Sequence, residues 1–289
     1  MKHTINLFLL LFLSSTLFAQ VELPQKSPKA SVSYRVGVTD VTIEYSAPAV
    51  RKRAIFGALV PYDQVWRTGA NKCTNITFST DVKIGDVPIS RGRYAFFIIP
   101  KNGTTWTAIF NSDFDQWGAY EYKEDKDVAR VDIKIEGLVK PVERLQFSID
   151  ERGIDQGAIV LEWERKRIAV PFSMETMKMA MANIEKGLAT APEDKKWGIH
   201  GNAAEFLLNN NGDMAMALSH AAESVKAKPI VWNLWLNAQA LAKTGDYKGA
   251  VAMSEKVAEA SKANKDETDY YKELEKDITT AVTEWKRHK

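Results

Sequence analysis

One cysteine and four histidines are all the thiol and imidazole in a chain of 289 residues. A lone Cys73 excludes an internal disulfide, so the core must hold by burial alone. A reactive cysteine needs a lowered pKa and a basic partner; Cys73 reads instead as a small semi-buried residue. The histidines are His3, His200, His220 and His288, so residues 31–171 contain none. That excludes a Ser-His-Asp or Cys-His site confined to this stretch, and a histidine-ligated zinc there. His200 and His220 read as surface groups or satisfied partners between helices. Net charge is also scarce, at +2, which leaves no footprint for nucleic acid. After the first residues no apolar run is long enough to cross a membrane. No motif points to a cofactor.

The opening MKHTINLFLLLFLSSTLFAQ has a basic start, an apolar run from Leu7 to Leu13, and Ala19 after small residues. It reads as a secretory signal of residues 1–19, cut after Ala19. The mature protein is therefore expected to be periplasmic or otherwise exported, without a membrane span. No cysteine near the cut offers a lipid anchor. Residues 20–30 are polar, carry two prolines, and read as a tether.

From residue 31 the pattern alternates with period two, as in Val32, Tyr34, Val36 and in Val41, Ile43, Tyr45. A core-facing apolar row and a solvent-facing polar row explain this spacing. Tyr94 to Ile99 is apolar on both faces and reads as a central strand. Runs at 131–135, 145–149 and 159–163 restore the alternation. About nine short strands imply an antiparallel β-sandwich over 31–171. After Pro171 the chain turns rich in Ala, Met, Lys and Glu. Helices are expected near 173–190, 194–210, 214–227, 230–243, 247–263 and 267–287, in antiparallel pairs over 172–289. The fold class is thus multidomain β plus α.

Two helical segments repeat. Gly212-Asp213 matches Gly245-Asp246, and Ala217 matches Ala250, at a spacing of 33 residues. This is similar to the tetratricopeptide repeat, whose period is close to 34. The resemblance covers 198–264 and implies a surface for a protein or peptide partner. Bracing of the sandwich is the other role open to these helices.

Trp66, Arg67, Asn71, Trp117 and Tyr120 form the best recognition set. An indole covers the apolar face of a sugar, and Arg and Asn orient polar groups around it. The same residues have a structural reading, with Trp66 and Trp117 pinning loops and Arg67 satisfying carbonyls. Arg51, Lys52 and Arg53 form a solvated turn or a contact for an anion. Asn111, Asp113 and Asp115 offer hard oxygen ligands at alternate positions, but no full calcium loop follows. Asp63 or Glu121 is a candidate for half of a pair of carboxylates in glycan hydrolysis; the second carboxylate at the needed distance is not visible in the sequence.

The segments IFGALVPYDQVWRTGAN, ITFSTDVKIGD, GRYAFFIIP and QWGAY together resemble the DUF2911 family of exported bacterial proteins over about Ser31 to Phe172. The resemblance implies a common core or site around Gly57, Pro61, Trp66, Arg67, Gly69, Asn71, Trp117 and Gly118. It carries no reaction. The expected function is an exported cell-envelope binding protein, taking a glycan or polar small ligand on the sandwich and a protein on the helices. The alternative is a carboxylate-dependent glycan hydrolase.

A composition change at Pro171 predicts two separable halves. Limited proteolysis of the mature chain should leave resistant fragments near 28–171 and 172–289. Circular dichroism should then find strand in the first and helix in the second; mixed structure in both would contradict this division.

Overall fold

The computed structural model describes residues 23–288. The expected leader and the start of the tether lie outside these residues. Nine strands precede six helices: β1 (Lys29–Val36), β2 (Thr39–Ser46), β3 (Thr74–Phe78), β4 (Val82–Ile84), β5 (Val87–Ile89), β6 (Gly92–Ile99), β7 (Thr105–Asn111), β8 (Asp127–Glu151) and β9 (Gln156–Ser173). All pairings are antiparallel, in the order β1-β2-β3-β6-β7-β8-β9-β4-β5.

One strand turns this sheet into two facing leaves. The first part of β8, from Asp127 to Lys134, pairs with β7; from Ile135 onward it pairs with β9. The register slips between Gly137 and Val142 and again between Val142 and Gln146. Such bulges bend a strand and sharpen its twist, and here they carry the chain from one leaf to the other. The inner faces then meet: Phe78 lies 5.7 Å from Phe172, and Phe96 lies 6.2 Å from Phe147. A second seam joins the leaves where Leu145 N–H donates to Pro48 O and Val50 N–H donates to Glu143 O.

The expectation of short separate strands at 131–135 and 145–149 is corrected by this geometry. Both belong to β8, a single strand of 25 residues. Alternation lapses between them because bulges shift the register, not because the chain turns. β9 likewise runs through 159–170 without a break, and Glu164 with φ of 56° marks its irregular point.

Residues 47–73 leave the sheet between β2 and β3 and return through its core. Trp66 exchanges two backbone hydrogen bonds with Ile98, at 2.8 and 2.9 Å, and so occupies the place beside β6 that β3 has not yet reached. Its indole stacks on Trp163 at 5.8 Å. Phe56 meets Trp66, Trp106 and Trp163 at 5.9, 4.8 and 6.0 Å. Burying each such ring stabilises the fold by roughly 1.5–3 kcal/mol, so this cluster fixes an otherwise irregular connection.

The helices are α1 (Thr176–Thr190), α2 (Glu193–Asn209), α3 (Met214–Ala227), α4 (Val231–Lys243), α5 (Tyr247–Ala260) and α6 (Lys265–Trp285). The first starts on the sandwich: Thr176 N–H donates to Asp155 Oδ1 and its hydroxyl to Ile154 O. Asp213 and Asp246, one repeat apart, cap α3 and α5 by accepting from Met216 N–H and Gly249 N–H. A cap of this kind is worth about 1 kcal/mol. Ala217 and Ala250 are fully buried, as close helix approach requires. A buried polar chain links three helices: Asn233 donates to Ser224 Oγ, whose hydroxyl donates to Trp197 O. The helical core centres on Val231, Leu234, Trp235, Val257, Ile278 and Trp285, separate from that of the sandwich.

His200 on α2 and His220 on α3 place their Nδ1 atoms 2.9 Å apart. One must donate and the other accept, so the pair cannot hold two protons on these atoms. Burial lowers the pKa of both; Glu223 works against this at His200, while Lys196 adds to it, and His200 depresses His220 further. A folded pKa below the unfolded value of about 6.5 means that the unfolded chain binds more protons below that pH. Stability contributed by the pair is therefore full above that value and lost as pH falls through the folded pKa. Melting curves from pH 7.5 to 5 should show a decline that is smaller in His220→Asn; an identical decline in the variant would contradict this origin.

Candidate functional site

β6 is buried on both faces, which is what its apolar sequence requires. Tyr94, Phe96 and Ile98 point into the sandwich, while Ala95 and Phe97 join Cys73 and Ile109 in a second cluster on the outer face. A loop, residues 112–126, covers that cluster. Val65, Ala119 and Tyr122 pack onto it, with Tyr122 edge-on to Phe97 at 5.3 Å.

Two anchors hold the loop. At its start, residues 71–73 and 116–118 form a short antiparallel ladder: Cys73 N–H donates to Gln116 O at 3.0 Å, and Gly118 N–H donates to Asn71 O at 3.0 Å. Lys72 and Trp117 face each other across it. Gly118 has φ of +72°, and a β-carbon there would come within 2.8 Å of the Tyr120 ring. Glycine both permits that backbone and lets the ring cross it. At the far end, Asp127 accepts from Tyr122 Oη at 2.6 Å, Asn111 Nδ2 at 2.8 Å and Arg130 at 2.9 Å. Burial and Asp127 push the Tyr122 phenol well above its ordinary pKa. The only signal of this anchor in the sequence is Tyr122 among the charges of 121–127.

The five recognition candidates do not share one surface. Trp66 is 7 % exposed and belongs to the sandwich core. Chain alternation puts Arg67 on the opposite, outer side with Val65. Trp117 and Tyr120 stand in solvent at 61 % and 85 % exposure. Asn71 lies next to them, but its amide donates to Ser46 Oγ and Ser27 O, tying the tether to the sheet. Arg67 is half-buried, and its Nε is enclosed without a hydrogen-bond partner. Burial lowers its pKa and the neighbouring Tyr120 opposes that effect. Phe114 adds a third exposed ring, with Arg93 5.4 Å above its centre. The outer face thus combines three aromatic rings on one anchored loop with a guanidinium that no carboxylate claims among the described residues.

The remaining candidates divide similarly. Arg53 donates to Val50 O and Ala49 O, and Arg51 to Lys26 O, so this basic turn serves the backbone. Asn111 is buried on Asp127, whereas Asp115 pairs with Lys72 at 2.6 Å. The hydrogen bond and charge of Lys72 hold the Asp115 carboxyl below its ordinary pKa. Asn111, Asp113 and Asp115 are therefore not gathered as one oxygen cage, and no cluster of three or more His, Cys, Asp or Glu is placed to hold a metal among the described residues. Asp63 is exposed in a turn with φ of 59°.

Compared with known proteins, residues 27–172 match the family model described as "Protein of unknown function (DUF2911)", which spans about half of the chain. No curated protein and no solved structure matches the chain.

Cys73 is buried, its thiol donates to Phe114 O at 3.4 Å, and burial raises its pKa. Thiolate is the reactive form. Ellman's reagent at pH 8 should label almost none of the folded protein and one thiol per chain in denaturant. Rapid labelling without denaturant would show that the loop opens freely.

Proposed function

The chain belongs to the DUF2911 family, and on that premise we propose that it is an exported cell-envelope binding protein whose sandwich recognises a glycan or another polar ligand with an apolar face. The observation that carries this reading is the outward pair Trp117 and Tyr120 on a loop anchored at both ends. Exposed rings on a mobile loop would lose ordering entropy on binding; rings on an anchored loop lose less. Arg67 supplies a fixed donor beside Tyr120, whereas Lys72 and Arg93 are already paired with Asp115 and Glu44 and add hydrogen-bonding groups to the rim rather than net charge. Trp66 and Asn71 position the loop rather than touch the ligand.

The helical part, residues 198–264 with α6 beside them, takes a protein or peptide partner in this reading. Support comes from a cleft of about 580 Å³ lined by Leu208, Gln239, Trp235, Tyr247 and Trp285. Tyr270 is exposed nearby in sequence, Met253 is half-buried, and Trp235 is largely absorbed into the helical core. No further observation favours Asp63 as half of a hydrolytic pair.

A glycan array containing peptidoglycan fragments and acidic polysaccharides, followed by calorimetry on the best binder, tests the sandwich. Trp117→Ala and Tyr120→Ala should each weaken binding about ten-fold with unchanged melting, since a lost stacking contact of this kind is worth about 1.4 kcal/mol. Trp66→Ala should instead destabilise the fold by about 3–5 kcal/mol. Full affinity in both loop variants would overturn the assignment.

A further inference from the structure

A large cleft lies away from the aromatic loop. It lies where the sandwich gives way to the helices, between the β4–β5 hairpin and the first two turns of α1, with a volume of about 1010 Å³. That is at the top of the usual range for small-molecule pockets, roughly 300–1,000 Å³. Its walls have two chemistries. Val82, Ile89 and Met174 are buried residues of the main core, and Met179 packs half-buried against them. Thioethers are unbranched and polarisable, and adapt to irregular apolar shapes. Around this strip stand Lys83, Arg91 and Lys178, with the hydroxyls of Ser90 and Ser173.

Two of the three cations have no counter-ion. Lys178 pairs with Glu175 at 3.2 Å. The other carboxylate of the cleft, Asp81, accepts from the backbone N–H of Arg91 at 2.8 Å. Among the described residues the side chains of Lys83 and Arg91 make no ion pair. An apolar strip edged by unpaired positive charge is complementary to one kind of molecule. We propose that this cleft binds a single-chain amphiphile with an anionic head, such as a long-chain fatty acid, its chain along Met174 and Met179 and its carboxylate at Lys83 and Arg91. The site is separate from the aromatic loop and does not depend on the glycan reading. Because one wall is strand and the other is helix, an occupant touches both halves of the chain.

The test uses the full mature protein and 11-(dansylamino)undecanoic acid as probe. Saturable binding with a blue-shifted dansyl emission is expected, displaced by palmitate. The double variant Lys83→Glu, Arg91→Glu should weaken the probe at least ten-fold; both side chains are exposed, so circular dichroism should be unchanged. Met179→Glu should weaken it comparably. Methyl palmitate, which lacks the charge, should compete at least ten-fold less well than palmitate. Absence of saturable binding, or unchanged affinity in the charge-reversed double variant, would overturn the proposal. So would displacement by inorganic phosphate as effective as that by palmitate, since the apolar strip would then have no part.

Discussion

Both faces of β6 have to be dry. The strand is apolar on each side, and a single layer facing a single layer can cover only one of them. The inner face is covered by β8 and β9 of the opposite leaf. The outer face is left to the loop after β7, and the demands of that task shape the loop. Its small and aromatic members, Ala119 and Tyr122, turn down onto Phe97. Trp117 is turned outward by the alternation of the laddered segment, and Tyr120 stands in solvent beyond the left-handed turn at Gly118. An exposed aromatic surface thus arises as the reverse side of a packing requirement.

The long connection 47–73 answers a related constraint. An irregular segment that enters a core brings peptide groups that need partners. Here Trp66 is paired with Ile98 on both its N–H and C=O, Thr68 donates to Phe96 O, and Thr74 Oγ1 donates to Thr68 O. With the backbone satisfied, the rings of Phe56, Trp66, Trp106 and Trp163 can close together. The indole nitrogen of Trp163 is fully enclosed in this cluster without a hydrogen-bond partner. Arg67 follows Trp66 directly, so fixing the indole inward also fixes the guanidinium on the outer face.

The architecture was legible because periodicity reports burial directly. All six helices lie within a few residues of their sequence-based limits, since Gly212, Pro229 and Gly245 punctuate them. The doubly buried character of β6 was visible for the same reason. The joining of 131–135 to 145–149 was hidden, because a bulge and a turn both interrupt alternation and only pairing partners distinguish them. The candidate site was half legible. Sequence names Trp66 and Trp117 as equals, yet one is core and the other solvent-facing. Nothing local to Trp66 announces the rings of Trp106 and Trp163 that bury it. The anchoring role of Asp127 was likewise invisible, since its partners Asn111 and Tyr122 converge on it only in the folded chain.

The continuity of β8 through both leaves has a mechanical side. In a sandwich whose leaves are joined only by loops, one leaf can loosen while the other stays paired. Here the same backbone is a ladder rail for β7 at one end and for β9 at the other. A displacement of either leaf is transmitted along covalent bonds into the other. Shear along the strand loads many hydrogen bonds at once, whereas peeling would load them one by one. The two leaves are thus coupled through one continuous backbone as well as through their packed inner faces.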